Sequence, residues 1–253
     1  MAVSANTLFH FTSLNSLKGI LTSQGFFCLY SDEHFENILP PKSNYRFTYI
    51  PMISFCDLTI SQLYNDSEHR KNFGEYGIGL TKEWGIKNRV SPVMYVHKKS
   101  QPTKQLQELI KVLKGFSEGS TDYTSILEIE KELVDSFKYI KPYKGNWHKG
   151  KKNATIIYYN EREWRYCPLL KDHAVLSALL EGNKQFKDRT NIKLKENLIA
   201  FAPEDIKFII IKNKSDVKEF VKVIRNDMKI SIDQQNELLT KIITQKEIKE
   251  DYV

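Results

Sequence analysis

Tyr158-Tyr159-Asn160-Glu161-Arg162-Glu163-Trp164-Arg165-Tyr166 is the stretch on which the reading of this chain turns. Aromatic residues crowd it and the apolar Ala154-Thr155-Ile156-Ile157 leads in, so the pattern predicts a strand. Along a strand side chains alternate, which puts Tyr159, Glu161, Glu163 and Arg165 on one face and Tyr158, Asn160, Arg162, Trp164 and Tyr166 on the other. The two carboxylates then stand about 7 Å apart. Burying such a pair is costly. The face therefore either meets solvent as a salt-bridge ladder with Arg165, or lines a cleft that uses negative charge.

Directly upstream, Lys141-Pro142-Tyr143-Lys144-Gly145-Asn146-Trp147-His148-Lys149-Gly150-Lys151-Lys152 holds five lysines and no acid. A cationic, Gly- and Pro-bearing segment with Tyr143 and Trp147 interleaved suits a phosphate backbone and a stacked base. It equally suits a solvated loop whose aromatic rings pack back on the domain.

At the other end of the chain Leu8-Phe9-His10-Phe11-Thr12 alternates, with Phe9 and Phe11 as the core side and His10 and Thr12 turned to the opposite surface. Ser13 is a helix N-cap for Leu14, Leu17, Ile20 and Leu21, and Gly25 ends that helix before the strand Phe26–Tyr30. Thr48–Cys56 reads as a strand with Pro51 near an edge, Leu58–Phe73 as a helix, and Gly74–Thr81 as a strand whose glycines signal close backbone approach or a bulge. Val90–Val96 is a further strand. Helical periodicity over 103–116 and 123–137 predicts a helical insert at about 103–138. Downstream the pattern gives a helix over Ala174–Leu180, a polar loop to Arg189, strands at Leu198–Phe201 and Ile206–Ile211, and C-terminal helices within 214–249. No repeat and no linker divides the chain, which reads as a single domain over 1–253.

The 253 residues are enough for an ample core, and 38 Lys+Arg against 31 Asp+Glu, net +7, permits an anionic partner without requiring one. Cys28, Cys56 and Cys167 are odd in number and set in apolar runs, as expected of reduced, buried thiols in a cytoplasm. No leader pattern precedes the first strand, and the longest aliphatic run, Phe208–Ile211, is strand-length, so no membrane span is expected. His-Glu-x-x-His, Cys-x-x-Cys, a P-loop and Gly-x-Ser-x-Gly are all absent, and the six histidines never fall in metal-ligand pairs, so no metal site is expected.

What remains is His10 on an early strand and Glu161-x-Glu163 on a late one. Leu8-Phe9-His10-Phe11-Thr12-Ser13-Leu14, continued by Leu17, Ile20, Leu21 and Gly25, resembles the first strand and helix of ADP-ribosyltransferases, notably the DarT-type DNA-modifying toxins. Ile50–Phe55 is similar to their next sheet strand. Over nearly the whole chain, Leu8–Thr12, Phe55-Cys56-Asp57, Tyr76–Trp84 and Glu161-x-Glu163-Trp164-Arg165 also resemble the AbiGi family of bacterial abortive-infection proteins, which is filed among phage-resistance toxin–antitoxin systems, commonly with an antitoxin label.

These resemblances imply an α+β fold, an ADP-ribosyltransferase-like mixed split β-sheet with flanking helices, holding NAD as substrate. They imply that His10 and Thr12 contact the NAD, that Tyr49 or Tyr76 stacks on its nicotinamide, and that Glu163 is the catalytic carboxylate. Glu161 then polarises or deprotonates the acceptor, and Tyr143, Trp147, Lys149, Lys151 and Lys152 recognise that acceptor if it is nucleic acid. On that reading Glu163→Gln abolishes activity and leaves stability nearly unchanged. The expected function is an NAD-dependent ADP-ribosyltransferase-like effector of an anti-phage or toxin–antitoxin system, acting on nucleic acid or protein. The alternative is a non-catalytic antitoxin or interaction protein with a toxin partner on the same scaffold.

Overall fold

A computed structural model of the chain describes residues 5–65, 74–117, 123–146, 155–168, 175–177, 182–194 and 198–251. The strands in chain order are β1 (Thr7–Thr12), β2 (Gly25–Phe27), β3 (Leu29–His34), β4 (Phe47–Cys56), β5 (Tyr76–Thr81), β6 (Ser91–Pro92), β7 (Met94–Val96), β8 (Ile140–Pro142), β9 (Gly145–Asn146), β10 (Thr155–Ile156), β11 (Glu163–Tyr166), β12 (Leu176–Ser177), β13 (Leu198–Ala200), β14 (Ile206–Ile211) and β15 (Ile242–Thr244). The helices are α1 (Leu14–Ser23), α2 (Ile60–Asn65), α3 (Lys82–Lys87), α4 (Gln101–Ser117), α5 (Tyr123–Ser136), α6 (Asn183–Leu194), α7 (Val217–Lys222), α8 (Ile232–Thr240) and α9 (Gln245–Asp251).

The main sheet runs β15-β14-β5-β1-β4-β11-β6, with β3 and β12 also paired to β4. It is mixed: β15 lies parallel to β14, while β5 pairs antiparallel with both β14 and β1. Both faces are covered. Leu8, Ile78, Leu80, Ile209 and Ile211 join one core with Leu17 and Leu21 of α1, Trp84 and Leu238. Phe9, Cys56 and Ile210 join a second with Leu63 and Ile248. Alternation along β1 therefore separates two cores rather than core from solvent. Phe9 is buried and Phe11 partly so, and the face of Leu8 and His10 is apolar at one end and opens into a cleft at the other.

Local signals explain several boundaries. The Ser13 hydroxyl accepts the Ser16 N–H at the start of α1, and Gln24, left-handed at φ 50°, ends it one residue before Gly25. The glycines of β5 mark close approach: a Cβ at Gly79 would lie 2.7 Å from Cε1 of Phe9, and one at Gly77 would lie 2.9 Å from Cδ1 of Phe11. Gly79→Val is accordingly expected to cost about 2–3 kcal/mol through overpacking, measured by urea unfolding. An unchanged urea midpoint would show that the Phe9 ring yields without strain.

Tertiary pairing overrides the sequence pattern elsewhere. Leu176–Ser177, within the stretch expected to be helical, is strand β12 against Thr48 and Tyr49 of β4. The expected polar loop before Arg189 is α6. The C-terminal region expected to be helical is broken by β15, because the β-branched Ile242-Ile243-Thr244 run completes the edge of β14. Before it, α7 passes into a single π-helical turn at Val223–Asp227. Among the described residues no helix is long and apolar enough to cross a membrane.

Candidate functional site

The cleft lies where two central strands part. β1 and β4 are in register only at Phe9↔Cys56, and β4 finds its next partner, β3, at Leu29↔Met52. Across the gap the His10 ring donates from Nδ1 to the Ser54 carbonyl at 2.8 Å. A cavity of about 630 Å³ opens there, lined among others by His10, Thr12, Phe26, Phe55, Lys141, Glu161 and Glu163.

His10 packs edge-on to Phe26, with ring centroids 5.2 Å apart, and lies 5.8 Å from the Phe55 ring. Burial pushes its pKa below the ordinary histidine value, against the opposing effect of the Ser54 bond. The imidazole is thus neutral near pH 7, with its proton on Nδ1 and a lone pair on Nε2.

Glu163 opens β11, opposite Cys56, and its carboxylate is saturated. Oε1 accepts from the Ser54 hydroxyl at 2.9 Å and from Arg165 Nε at 2.7 Å, and Oε2 accepts from Arg165 Nη2 at 3.0 Å and Lys141 Nζ at 2.6 Å. Burial alone would raise its pKa, but the charges and hydrogen bonds of Arg165 and Lys141 outweigh it and hold the group well below the usual carboxylate range. Arg165 is completely buried, with Nη2 also 3.0 Å from Glu33 and Nη1 donating to the Lys138 carbonyl at 3.1 Å. The Tyr95 hydroxyl accepts the Glu163 backbone N–H at 2.8 Å, which ties the β7–β8 pair to the site.

Glu161 does not lie on the strand. Tyr158–Glu161 forms a 3-10 turn closed by Arg162 at φ 42°, which resets the alternation before β11 begins. Instead of standing side by side on a pleat, the two carboxylates converge on one ammonium: Glu161 Oε2 is 2.7 Å from Lys141 Nζ. Burial raises the Glu161 pKa, with Lys141 opposing, so the two neighbouring acids are shifted in opposite directions. Glu161 Oε1 has no hydrogen-bond partner among the described residues, and the side chain lines the cavity.

Lys141 was counted with the basic loop by charge alone. It sits on β8, its flanks Ile140 and Pro142 are buried, and its ammonium forms part of the cavity floor. Burial would lower its pKa, but Glu163 and Glu161 raise it well above the ordinary lysine value.

The remaining sequence candidates divide. Thr12 lines the cavity with His10, Glu161 and Glu163, whereas Tyr49 and Tyr76 are not among its lining residues. Tyr76 donates its hydroxyl to Asp216 at 3.0 Å and stacks on Phe220, and the Tyr49 ring carries the Lys187 ammonium 4.1 Å from its centroid. Tyr143 is exposed and lies 5.7 Å from the Tyr159 ring, outside the cavity. Trp147, Lys149, Lys151 and Lys152 fall outside the described residues. Sequence reasoning missed Lys141, Glu33, Ser54 and Tyr95 as parts of the site. The three cysteines are buried free thiols.

Fold and site together define a mixed α+β protein with a histidine- and carboxylate-lined cleft at a parting in its main sheet. A family model described as "Putative abortive phage resistance protein AbiGi, antitoxin" matches residues 33–212, and the chain belongs to that AbiGi family. It is similar to the "Abortive phage resistance protein AbiGi" of Lactococcus lactis subsp. cremoris, 29% identical, in a match that covers 81% of this chain and 89% of the relative. No solved structure matches the chain significantly.

Proposed function

We propose that this AbiGi-family protein is an ADP-ribosyltransferase-like effector of bacterial phage defence, using NAD as substrate in the cleft. The observation that carries the reading is the parting of β1 from β4, which brings His10, Thr12, Glu161 and Glu163 around one cavity from opposite parts of the chain. The cavity fits the nicotinamide–ribose half of NAD. Phe26, Phe27 and Phe55 offer ring walls, and the acidic floor suits a centre that becomes positive. Lys141, the lysine of the lining, is already shared between two carboxylates, so the diphosphate belongs at the mouth.

Cleavage breaks the bond between the nicotinamide nitrogen and ribose C1′, and the electron pair leaves with nicotinamide. The carboxylates stabilise the oxocarbenium-like centre as its charge develops. An acceptor hydroxyl, amine or water then attacks C1′ and gives up a proton. Glu163 acts as a fixed negative charge, since all four of its hydrogen bonds are made within the protein. Glu161, with Oε1 open to the cavity, takes the acceptor's proton.

The test is NAD consumption by purified protein, alone and with nucleic acid or phage extract. Glu161→Gln is expected to lower the rate about a hundredfold, the lower end of general-base effects, in a protein that still unfolds cooperatively in urea. A wild-type protein that leaves NAD intact under every condition would overturn the reading. That result would favour a non-catalytic antitoxin with a toxin partner, a reading supported by the family's description and by the commitment of Glu163 to Arg165 and Lys141.

A further inference from the structure

Glu163 is gripped through both its backbone and its side chain by one strand pair. Alternate residues of a central strand turn their backbone N–H and C=O to opposite neighbours, and those of Glu163 turn toward β6. Its carbonyl accepts the Val93 N–H at 3.1 Å, which extends by one residue the β6–β11 pairing of Trp164 with Pro92 and Arg165 with Ser91. An antiparallel ladder would return the bond from the Glu163 N–H to the Val93 carbonyl. That N–H donates instead to the Tyr95 hydroxyl oxygen, 2.8 Å away. A side chain two residues beyond Val93 thus supplies the acceptor where the ladder stops.

Tyr95 lies on β7 in parallel register with Lys141 of β8, so the residue that holds the Glu163 backbone stands beside the one whose ammonium is 2.6 Å from its carboxylate. β7 and β8 are joined in sequence through α4 and α5, and the N–H of Tyr143, one residue past β8, donates to the Val96 carbonyl. The Tyr95 ring also packs edge-on to Tyr159, with centroids 5.3 Å apart, on the turn that precedes β11. Burial raises the Tyr95 pKa, so the phenol stays protonated at neutral pH. A buried N–H deprived of its acceptor shifts toward another. At Glu163 such a shift is transmitted to a carboxylate that must fit Ser54, Arg165 and Lys141 at once.

We propose that Tyr95 is a positioning residue of the cleft, whose hydroxyl holds the Glu163 backbone so that the carboxylate seats between Arg165 and Lys141. The inference stands on this geometry and holds whether or not NAD is cleaved. Its kinetic consequence alone rests on the transferase reading.

Tyr95→Phe tests it, because phenylalanine removes the hydroxyl and keeps a ring against Tyr159. In NMR spectra of the full chain, the Glu163 amide of this variant is expected to exchange with solvent roughly tenfold faster, as for the loss of one hydrogen bond. The Arg165 Nε–H resonance, which reports the 2.7 Å bond to Glu163 Oε1, is expected to move. Thr244→Val is the control: it removes a hydroxyl bonded to Glu247 at the opposite edge of the sheet, and is expected to lower the urea midpoint while leaving the Arg165 resonance in place. With NAD as substrate, Tyr95→Phe is expected to lower kcat about tenfold with KM within about twofold, the split that follows when a reacting group is misplaced after the substrate has bound. An Arg165 Nε–H resonance that stays put in Tyr95→Phe, or moves as far in Thr244→Val, would overturn the proposal. So would an unchanged kcat in Tyr95→Phe where the wild type consumes NAD. A wild type that leaves NAD intact removes the transferase reading alone, and the Arg165 resonance then decides the positioning role.

Discussion

Replacing Arg165 with methionine is expected to lower the unfolding free energy by roughly 3–5 kcal/mol, the cost of removing one partner from a buried ion network. Arg165 is completely buried and bridges Glu163 and Glu33, so methionine leaves Glu33 without that partner and Glu163 with Lys141 alone among cations. Against a typical domain stability of about 5–15 kcal/mol the loss is large enough to compromise folding at 37 °C. Urea unfolding measures it. A loss below about 1 kcal/mol would mean that the carboxylates escape by protonation or by rotating into the cleft. Lysine in the same place restores charge but not the forked pair of bonds, and is expected to recover part of the loss.

Glu163→Gln is expected to destabilise the protein by about 3 kcal/mol, in contrast to the nearly neutral effect that follows if Glu163 is read as a catalytic group alone. The amide oxygen can still accept, but its NH₂ faces the donors of Arg165 or Lys141 and finds no acceptor there. The same network sets a pH dependence. Because the folded-state pKa of Glu163 is held below its unfolded value, its contribution is fully present above the ordinary carboxylate pKa of about 4.3 and is lost as pH falls below it. Glu161 acts in the opposite sense: its raised pKa makes its contribution fall as pH rises through and above the same value. Urea midpoints at pH 7 and pH 3 are expected to fall more steeply for the wild type than for Glu163→Gln. Parallel losses in the two proteins would show that other carboxylates govern acid unfolding.

Local chemistry was legible in the sequence and long-range chemistry was not. Ser13 caps α1 as its side chain and position dictate, and the glycines of β5 announce the phenyl rings of Phe9 and Phe11 that crowd them. The run around Glu163 was recognised as a strand, but Glu161 was placed on it because alternation has no means of registering a left-handed residue at Arg162. Lys141 opens a lysine-rich run that reads as either a phosphate-binding or a solvated segment, whereas its burial is decided by carboxylates 20 and 22 residues away. Leu176–Ser177 and Ile242–Thr244 fit a helix in isolation and became strands because the sheet offered them partners. AbiGi membership spans residues 33–212, which takes in Lys141, Glu161, Glu163 and Arg165 but leaves His10 outside.

The order of strands in the main sheet governs when the cleft can exist during synthesis. β1, made before the other strands of the sheet, ends up in the interior between β5 and β4, and its His10 reaches across 44 residues to Ser54. Ser54 in turn meets Glu163 across 109 residues. Contacts of such separation close late, after the entropy of long loops has been overcome. A nascent chain therefore has neither floor nor walls for the cavity until β11 has emerged, and β5 lacks its other neighbour until β14 follows. Whatever the cleft does, it does only after β11 has joined the sheet, so its activity, or its grip on a partner, waits on the last-made of the elements that line it.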